Sequence, residues 1–292
     1  MNNLLNKTQE QLIKYSMKYY KIAHKRECNF SNPRLFTEKI QWYTFHYHNP
    51  LCPYIVDKIT FKDYIEGKLG KGYTIPLIAS WQSIEEFEKS WEQLPQRFCL
   101  KSNLSSDGRN IRVILDKNAE NFSEIREEVA RWFLPENTNI NSLARNFYDR
   151  PPRVLAEEYM SNFEDQLYDY KFFCFDGKPM IMYVAIEHFK GERYETYPIS
   201  FYDLDWNRLD VTYGHHARAR EVPRPNHFEE MKSMAQKLSK DFPFVRVDFF
   251  DTGEKLYVAE LTFNPGGGFI PYIPVEFDEY MGSLFNLPEQ QS

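Results

Sequence analysis

Four cysteines are all that this 292-residue sequence carries, and no two form a Cys-x-x-Cys pair. Cys28, Cys52, Cys99 and Cys174 lie far apart, which excludes a thiolate zinc ribbon and a small disulfide-framed scaffold. Free thiols of this kind suit a reducing compartment. No apolar run approaches the ~18 residues that cross a bilayer, and no secretory apolar segment opens the chain. The expectation is a cytoplasmic protein without an integral membrane segment. Basic blocks are missing too: 36 Lys and Arg stand against 42 Asp and Glu, and the net charge of -6 is spread along the chain. Nucleic acid as a partner is excluded on that ground, since backbone binding needs a concentrated cationic face. Internal repeats and low-complexity tracts are absent. What is present is a 42% hydrophobic and 17% aromatic composition, enough for one large or two to three smaller units with real cores.

Apolar spacing predicts helices over "QEQLIKYSMKYYKIAH" and, after an Asn32-Pro33 break, over "NPRLFTEKIQWYTFHYH", whose aromatic stripe reads as core. "IVDKITFKDYI" is helix-like, "YTIPLIAS" extended, and "SIEEFEKSW" a helix opened by a Ser-x-x-Glu capping box. "RFCLKSN" and "IRVILD" read as strands, with a Glu-rich helix around 123–133. From 153 onward strands dominate ("RVLAEEYM", "YKFFCF", "PMIMYVAI", "PISFYD"), followed by a helix, "HFEEMKSMAQKLSKDF". The order predicts a mixed α+β protein with a mostly antiparallel C-terminal sheet.

Charge interrupts the apolar stretch "VRVDFFDTGEKLYVAELTFNPGGG". A three-residue loop, Asp251-Thr252-Gly253, with Gly253 left-handed, places Phe250 opposite Glu254 and Phe244 opposite Glu260. Side chains alternate along each strand, so Val245, Val247, Phe249, Tyr257, Ala259, Leu261 and Phe263 share one face. Arg246, Asp248, Glu260, Thr262 and Asn264 share the other. A two- or four-residue loop would put Asp248 and Glu260 on opposite faces. One face is thus expected to be core and the other a site. Two convergent carboxylates with neutral oxygen donors suit Mg²⁺, although a merely solvated face is the alternative.

At this point the chain resembles the ATP-grasp superfamily. The Arg-x-Asp strand, the hairpin and the Glu-x-Thr strand running into Pro-Gly look like the magnesium-binding hairpin of D-alanine–D-alanine ligases. "VDKITFK" is similar to the Asp-Lys helix start whose lysine reaches nucleotide phosphate, here Lys58, and "FCLKSN" to the strand that presents a second lysine, here Lys101. "VLAEEYM" resembles the hinge that takes adenine: Glu157 on the amino group, Tyr159 against the ring, Met160 offering backbone groups, with Glu158 beside them. "DYKFF" falls where that fold has a ribose carboxylate, here Asp169, with Lys171 on the same face. "NPRLFTEKIQWY", "YDYKFFCFDGKP", "YDLDW", "FVRVDFF" and "ELTFNPGGG" together look like the TupA-like branch, associated with teichuronopeptide and capsular polysaccharide synthesis. The resemblance covers about residues 30 to 282. It departs at the phosphate-covering loop "NLSSDGRN", normally glycine-rich, where Gly108 stands alone and Ser105, Ser106 and Arg109 would substitute with side chains. Thr262 stands where the ligases use asparagine, and Asn264 would lend its carbonyl to the metal instead.

The resemblance implies an ATP-grasp fold, two α/β subdomains clasping a nucleotide with an N-terminal helical segment. Its implied divisions are a helical segment over 1–50, a small α/β subdomain over 51–98, a lid over 99–155 and a C-terminal subdomain over 156–292. It implies an ATP- and Mg²⁺-dependent carboxylate–amine ligase, working through an acyl phosphate. ATP would meet Lys58, Lys101, Ser105, Ser106, Gly108, Glu157, Glu158, Tyr159, Met160 and Asp169. Arg246 and Lys171 would be catalytic. The metal would sit on Asp248, Glu260, Thr262 and Asn264, and Gly266, Gly267 and Gly268 would form a substrate loop. The implied partners are a uronic acid of a bacterial surface glycan or its precursor and an amino acid or similar amine, with peripheral contact to membrane-linked precursors. Rival readings are a sugar kinase on the same fold, a nucleotide- or glycan-binding scaffold favoured by the glycine-poor loop, and, more weakly, a glycosyltransferase. His215-His216 and His46-x-His48 lack a third ligand at metal spacing and read as surface or substrate-loop residues.

Overall fold

The computed structural model describes residues 7–105, 109–134, 143–144, 147, 150–160, 167–187 and 197–289. Its contacts divide the chain into two compact units, one made of residues 1–49, 142–146 and 165–292, the other of 50–141 and 147–164.

The first unit opens with α1 (Gln9–His24) and α2 (Phe36–His46). Thr8 caps α1, accepting from the Gln11 N–H, while the Gln11 side chain returns to the Thr8 N–H at 3.1 Å. Glu38 in the first turn of α2 accepts from the N–H groups of Asn29, Arg34 and Leu35, which ties down the Asn-Pro break before the helix. The expected aromatic core stripe is there, with Phe36, Tyr43 and Phe45 buried.

In the second unit the helix-like stretch 55–65 is two helices, α3 (Leu51–Val56) and α4 (Thr60–Leu69). They part at Asp57, which is extended and turns its carboxylate onto the N–H groups of Ile59 and Thr60, capping α4. Then come β1 (Leu77–Trp81), α5 (Ile84–Ser90), β2 (Phe98–Ser102), β3 (Ile111–Ile114), α6 (Phe122–Trp132) and β4 (Val154–Glu158). Ser83 caps α5 as expected, but Glu86 reaches the N–H of Gln82 rather than that of Ser83. The strands form an antiparallel sheet in the order β1-β4-β2-β3. On β2, Phe98, Leu100 and Ser102 face the core with Trp81, Phe87, Trp91, Ile125 and Val129, leaving Cys99 and Lys101 on the opposite face.

The rest of the first unit is β5 (Leu167–Phe175), β6 (Lys178–Glu187), β7 (Ile199–Tyr202), β8 (Arg208–Leu209), β9 (Thr212–Tyr213), α7 (Phe228–Ser239), β10 (Phe244–Asp251), β11 (Leu256–Thr262), β12 (Tyr272–Ile273) and α8 (Val275–Leu284). Six of these strands form one antiparallel sheet in the order β11-β10-β5-β6-β7-β8, and β12 pairs with β9.

The β10–β11 hairpin differs from its expected register. Asp251 pairs with Leu256, so the connection is the four residues Thr252 to Lys255, closed by the Thr252 N–H on the Lys255 carbonyl at 3.0 Å. Gly253 has φ +81°, the left-handed conformation expected of it. A four-residue loop alone would separate Asp248 from Glu260. The register shifts between Asp248 and Phe249, however, and that bulge restores the parity: Asp248 lies opposite Glu260, and Arg246 opposite Thr262. The polar face therefore stands beyond the bulge. Nearer the turn the alternation is displaced by one, so Leu256 and Val258 are buried where Tyr257 and Ala259 were expected.

Candidate functional site

Polar residues of the sequence motifs gather in two clusters, one in each unit. In the second unit Glu157 on β4 lies opposite Cys99 of β2, which puts Lys101 on the diagonal, within side-chain reach. Lys101 Nζ donates to Glu157 Oε2 at 2.6 Å and Lys62 Nζ, from α4, to Oε1 at 2.5 Å. Glu157 is buried. Burial pushes its carboxyl up, but the two ammonium groups outweigh it and hold the pKa at about 2. Burial in turn pulls Lys62 down, with Glu157 opposing. Lys62 was not singled out in the sequence. Its only signal is that it follows Lys58 by four residues, and its partner is 95 residues away.

Lys58 donates from Nζ to the Ser105 carbonyl at 2.5 Å, and its backbone N–H to the Asn103 carbonyl. The buried Ser105 hydroxyl donates to the Ser102 carbonyl. The fully buried Asp57 also accepts from Asn103 Nδ2 at 2.8 Å and Arg153 Nη2 at 2.7 Å, so the start of α4, the residues after β2 and the approach to β4 meet on one carboxylate. Tyr159 is half-buried under the Arg97 guanidinium, 5.4 Å from its ring centre; Met160 is half-buried and Glu158 exposed. Ser106 and Gly108 lie outside the described residues.

In the first unit the sheet register makes a row. Tyr183 on β6, Lys171 on β5, Asp248 on β10 and Glu260 on β11 are successive cross-strand partners. Asp169 and Arg246 flank the row by two residues on their own strands, which places them on the same face. Lys171 Nζ donates to Asp248 Oδ2 at 2.6 Å and is also paired with Asp169. Burial would lower the Lys171 pKa, but the two carboxylates outweigh it and leave it well above the ordinary value. Arg246 binds Asp248 through one edge, Nε to Oδ1 at 2.7 Å and Nη2 to Oδ2 at 2.6 Å. Its Nη2 also reaches Glu260 Oε1 and Thr262 Oγ1, each at 3.1 Å, and Thr262 donates to Glu260 at 2.6 Å. The other terminal nitrogen of Arg246, Nη1, makes no hydrogen bond among the described residues. Asp248 has no exposed surface, whereas the Glu260 side chain is 41% exposed.

Past β11, Asn264 is buried with its Nδ2 unpaired among the described residues. Pro265 to Gly268 form a tight turn with φ of +56° at Gly266, +59° at Gly267 and +71° at Gly268. Three consecutive left-handed residues restrict these positions to glycine. No three of His, Cys, Asp and Glu converge on a metal-sized site among the described residues.

A family model, TupA-like ATPgrasp, matches residues 38–286. The chain belongs to the TupA-like ATP-grasp family. Its fold is accordingly the α+β ATP-grasp fold expected from the hairpin and hinge motifs. No curated protein matches the chain. Among solved structures it is similar to D-alanine–D-alanine ligase from Bacillus anthracis, at 16% identity and a TM-score of 0.45, covering 78% of this chain and 64% of that one. The corresponding ligase from Helicobacter pylori gives 15% identity and 0.44, covering 82% and 62%. Phosphoribosylamine–glycine ligase from Thermotoga maritima gives 10% and 0.42, covering 73% and 48%. This TupA-like chain thus spans less than two thirds of the length of each. Among the described residues no helix is long and apolar enough to cross a membrane.

Proposed function

We propose that this family member is an ATP- and Mg²⁺-dependent carboxylate–amine ligase. The observation that carries the proposal is the row Lys171–Asp248–Glu260 with Arg246 fixed across it, on the polar face of a sheet otherwise filled with apolar side chains. Burying charges of both signs at this density carries a desolvation cost, and clusters of strongly perturbed titratable groups gather at functional sites. In the proposed reaction a substrate carboxylate attacks the γ-phosphorus of ATP, expelling ADP and leaving an acyl phosphate. An amine then attacks the acyl carbon and expels phosphate, leaving an amide.

The donor set suits Mg²⁺. Glu260 is an accessible carboxylate, Thr262 adds a hydroxyl oxygen, and Asp248 lies opposite, its oxygens held by Arg246 and Lys171. With so few protein oxygens, a dication there would share its coordination with nucleotide phosphates, as Mg²⁺ commonly does. Bound with ATP, it supplies neutralisation of the phosphate charge. Arg246 is anchored along its Nε edge and presents Nη1 to charge that develops on the transferred phosphoryl group and on the tetrahedral carbon. Lys171, kept charged by Asp169 and Asp248, adds a fixed positive potential. In the second unit Lys58 and Lys101 serve phosphate, and Glu157, held ionised, accepts from the adenine amino group. Gly266 to Gly268 line the acceptor.

The finer reading takes the carboxylate as a uronic acid of a surface glycan or its precursor and the amine as an amino acid. It rests on the TupA-like family and places the reaction in the cytoplasm. Two measurements test the proposal. Millimolar ATP with Mg²⁺ should raise the Tm, since binding to the folded state alone stabilises it by about 2.7 kcal/mol at a hundredfold excess over Kd. ADP release should require a uronic-acid sugar, and hydroxylamine should trap a hydroxamate. A phosphorylated sugar that survives hydroxylamine would establish the kinase instead.

A further inference from the structure

We propose that the N-terminal helices α1 and α2 set the Pro-Gly-Gly-Gly turn, with Gln41 and His24 as positioning residues that pin two of its carbonyls. Gln41 sits in α2 and is 1% exposed. Its Oε1 accepts from the Ser16 hydroxyl of α1 at 2.5 Å, and its Nε2 donates to the Gly267 carbonyl. A buried amide needs both ends satisfied, and this one spends its donor on the turn. His24, the last residue of α1, holds the Gly268 carbonyl with Nε2 at 2.9 Å. Burial pulls its pKa down to about 4, so at neutral pH the ring is neutral with its proton on the nitrogen that faces the carbonyl. The ring stacks on Tyr20 at 3.9 Å between centres, and Tyr20 meets the Thr37 hydroxyl at 2.9 Å. Thr37 closes the arrangement: a Cβ on Gly268 would stand 2.7 Å from the Thr37 carbonyl oxygen.

Glycine lets the turn form but does not hold it, because glycine has the most conformations to lose. Each peptide is planar, so pinning the Gly267 carbonyl also fixes where the Gly268 N–H points, and pinning the Gly268 carbonyl fixes the Phe269 N–H. The Phe269 N–H indeed reaches the Gly266 carbonyl at 2.9 Å. The family match starts at residue 38, so His24 and Ser16 lie outside it and Gln41 just inside. What the turn does for an acceptor rests on the ligase proposal; the pinning does not.

Hydrogen exchange on the full chain without ligands tests it. Gln41→Leu keeps the bulk and removes the donor, and His24→Phe keeps the stacking ring and removes the donor. In each, amides of residues 266–270 should exchange roughly tenfold faster, the scale of one lost hydrogen bond, while β5 and β10 stay protected. His24→Gln, which retains a donor, should recover part of the protection. With an active acceptor the same variants should raise the acceptor KM and leave the ATP KM within about twofold. Exchange within twofold of the parent in folded Gln41→Leu and His24→Phe overturns the proposal. If Gln41→Leu does not fold, the His24 pair decides by the same criterion. Faster exchange in a protein that ATP never stabilises would uphold the pinning and count against the ligase.

Discussion

Asp248→Asn should destabilise the protein as well as silence it, and the structure gives the scale. The carboxylate is fully buried and receives three charge-assisted hydrogen bonds, at 2.7 and 2.6 Å from Arg246 and 2.6 Å from Lys171. Asparagine keeps the shape and removes the charge. Breaking a buried pair costs about 3–5 kcal/mol when it strands the partner. Neither partner is stranded here, since Lys171 keeps Asp169 and Arg246 keeps Glu260. The cost should therefore fall below that range, at about 2 kcal/mol for the weakened charge-assisted hydrogen bonds, or roughly 3 °C in Tm for a chain of this length. Glu260→Gln is the control on the opposite strand: with a 41% exposed side chain it should cost under about 1 kcal/mol. Both substitutions should abolish ADP release, so thermal denaturation separates two carboxylates that turnover cannot. A double cycle of Asp248→Asn with Lys171→Met should show coupling of about 1 kcal/mol or more. Equal Tm losses for Asp248→Asn and Glu260→Gln would refute the buried pairing, as would a loss below about 2 °C for Asp248→Asn.

Glu157 carries a pH signature. Its folded pKa lies near 2 against an ordinary 4.5, so its contribution is present above pH 4.5 and is lost as the pH falls towards 2. Urea midpoints from pH 6 to pH 3 should fall less steeply in Glu157→Gln, and identical slopes would contradict the Lys62–Glu157–Lys101 pairing. Gly282→Ala in α8 brings a Cβ within 2.0 Å of the Arg34 carbonyl and 2.8 Å of the Phe36 nitrogen, backbone atoms that cannot turn aside. It should cost about 3 kcal/mol or more, whereas Gly67→Ala in α4 meets nothing within 4 Å and should stabilise by up to about 1 kcal/mol. Thermal melts of the two glycine variants check both signs.

By itself the sequence determined the elements whose signal is local. Helical spacing placed α1 and α7, alternation placed β2, β10 and β11, and the motif order from Lys58 to Gly268 carried the family. Period and spacing survive in one dimension because a strand or helix imposes them on its own residues. Tertiary structure decided what depends on a partner far along the chain. The four-residue loop and the bulge after Asp248 each shift parity by one, and their cancellation is visible only when both strands are paired. Asp57 splits an otherwise continuous helical pattern because its carboxylate has helix N–H groups, Asn103 and Arg153 to satisfy at once. Lys62 and Gln41 look like ordinary helix residues. Their partners, Glu157 and Gly267, lie 95 and 226 positions away, and burial against those partners turns a solvated lysine and an amide into structural connectors.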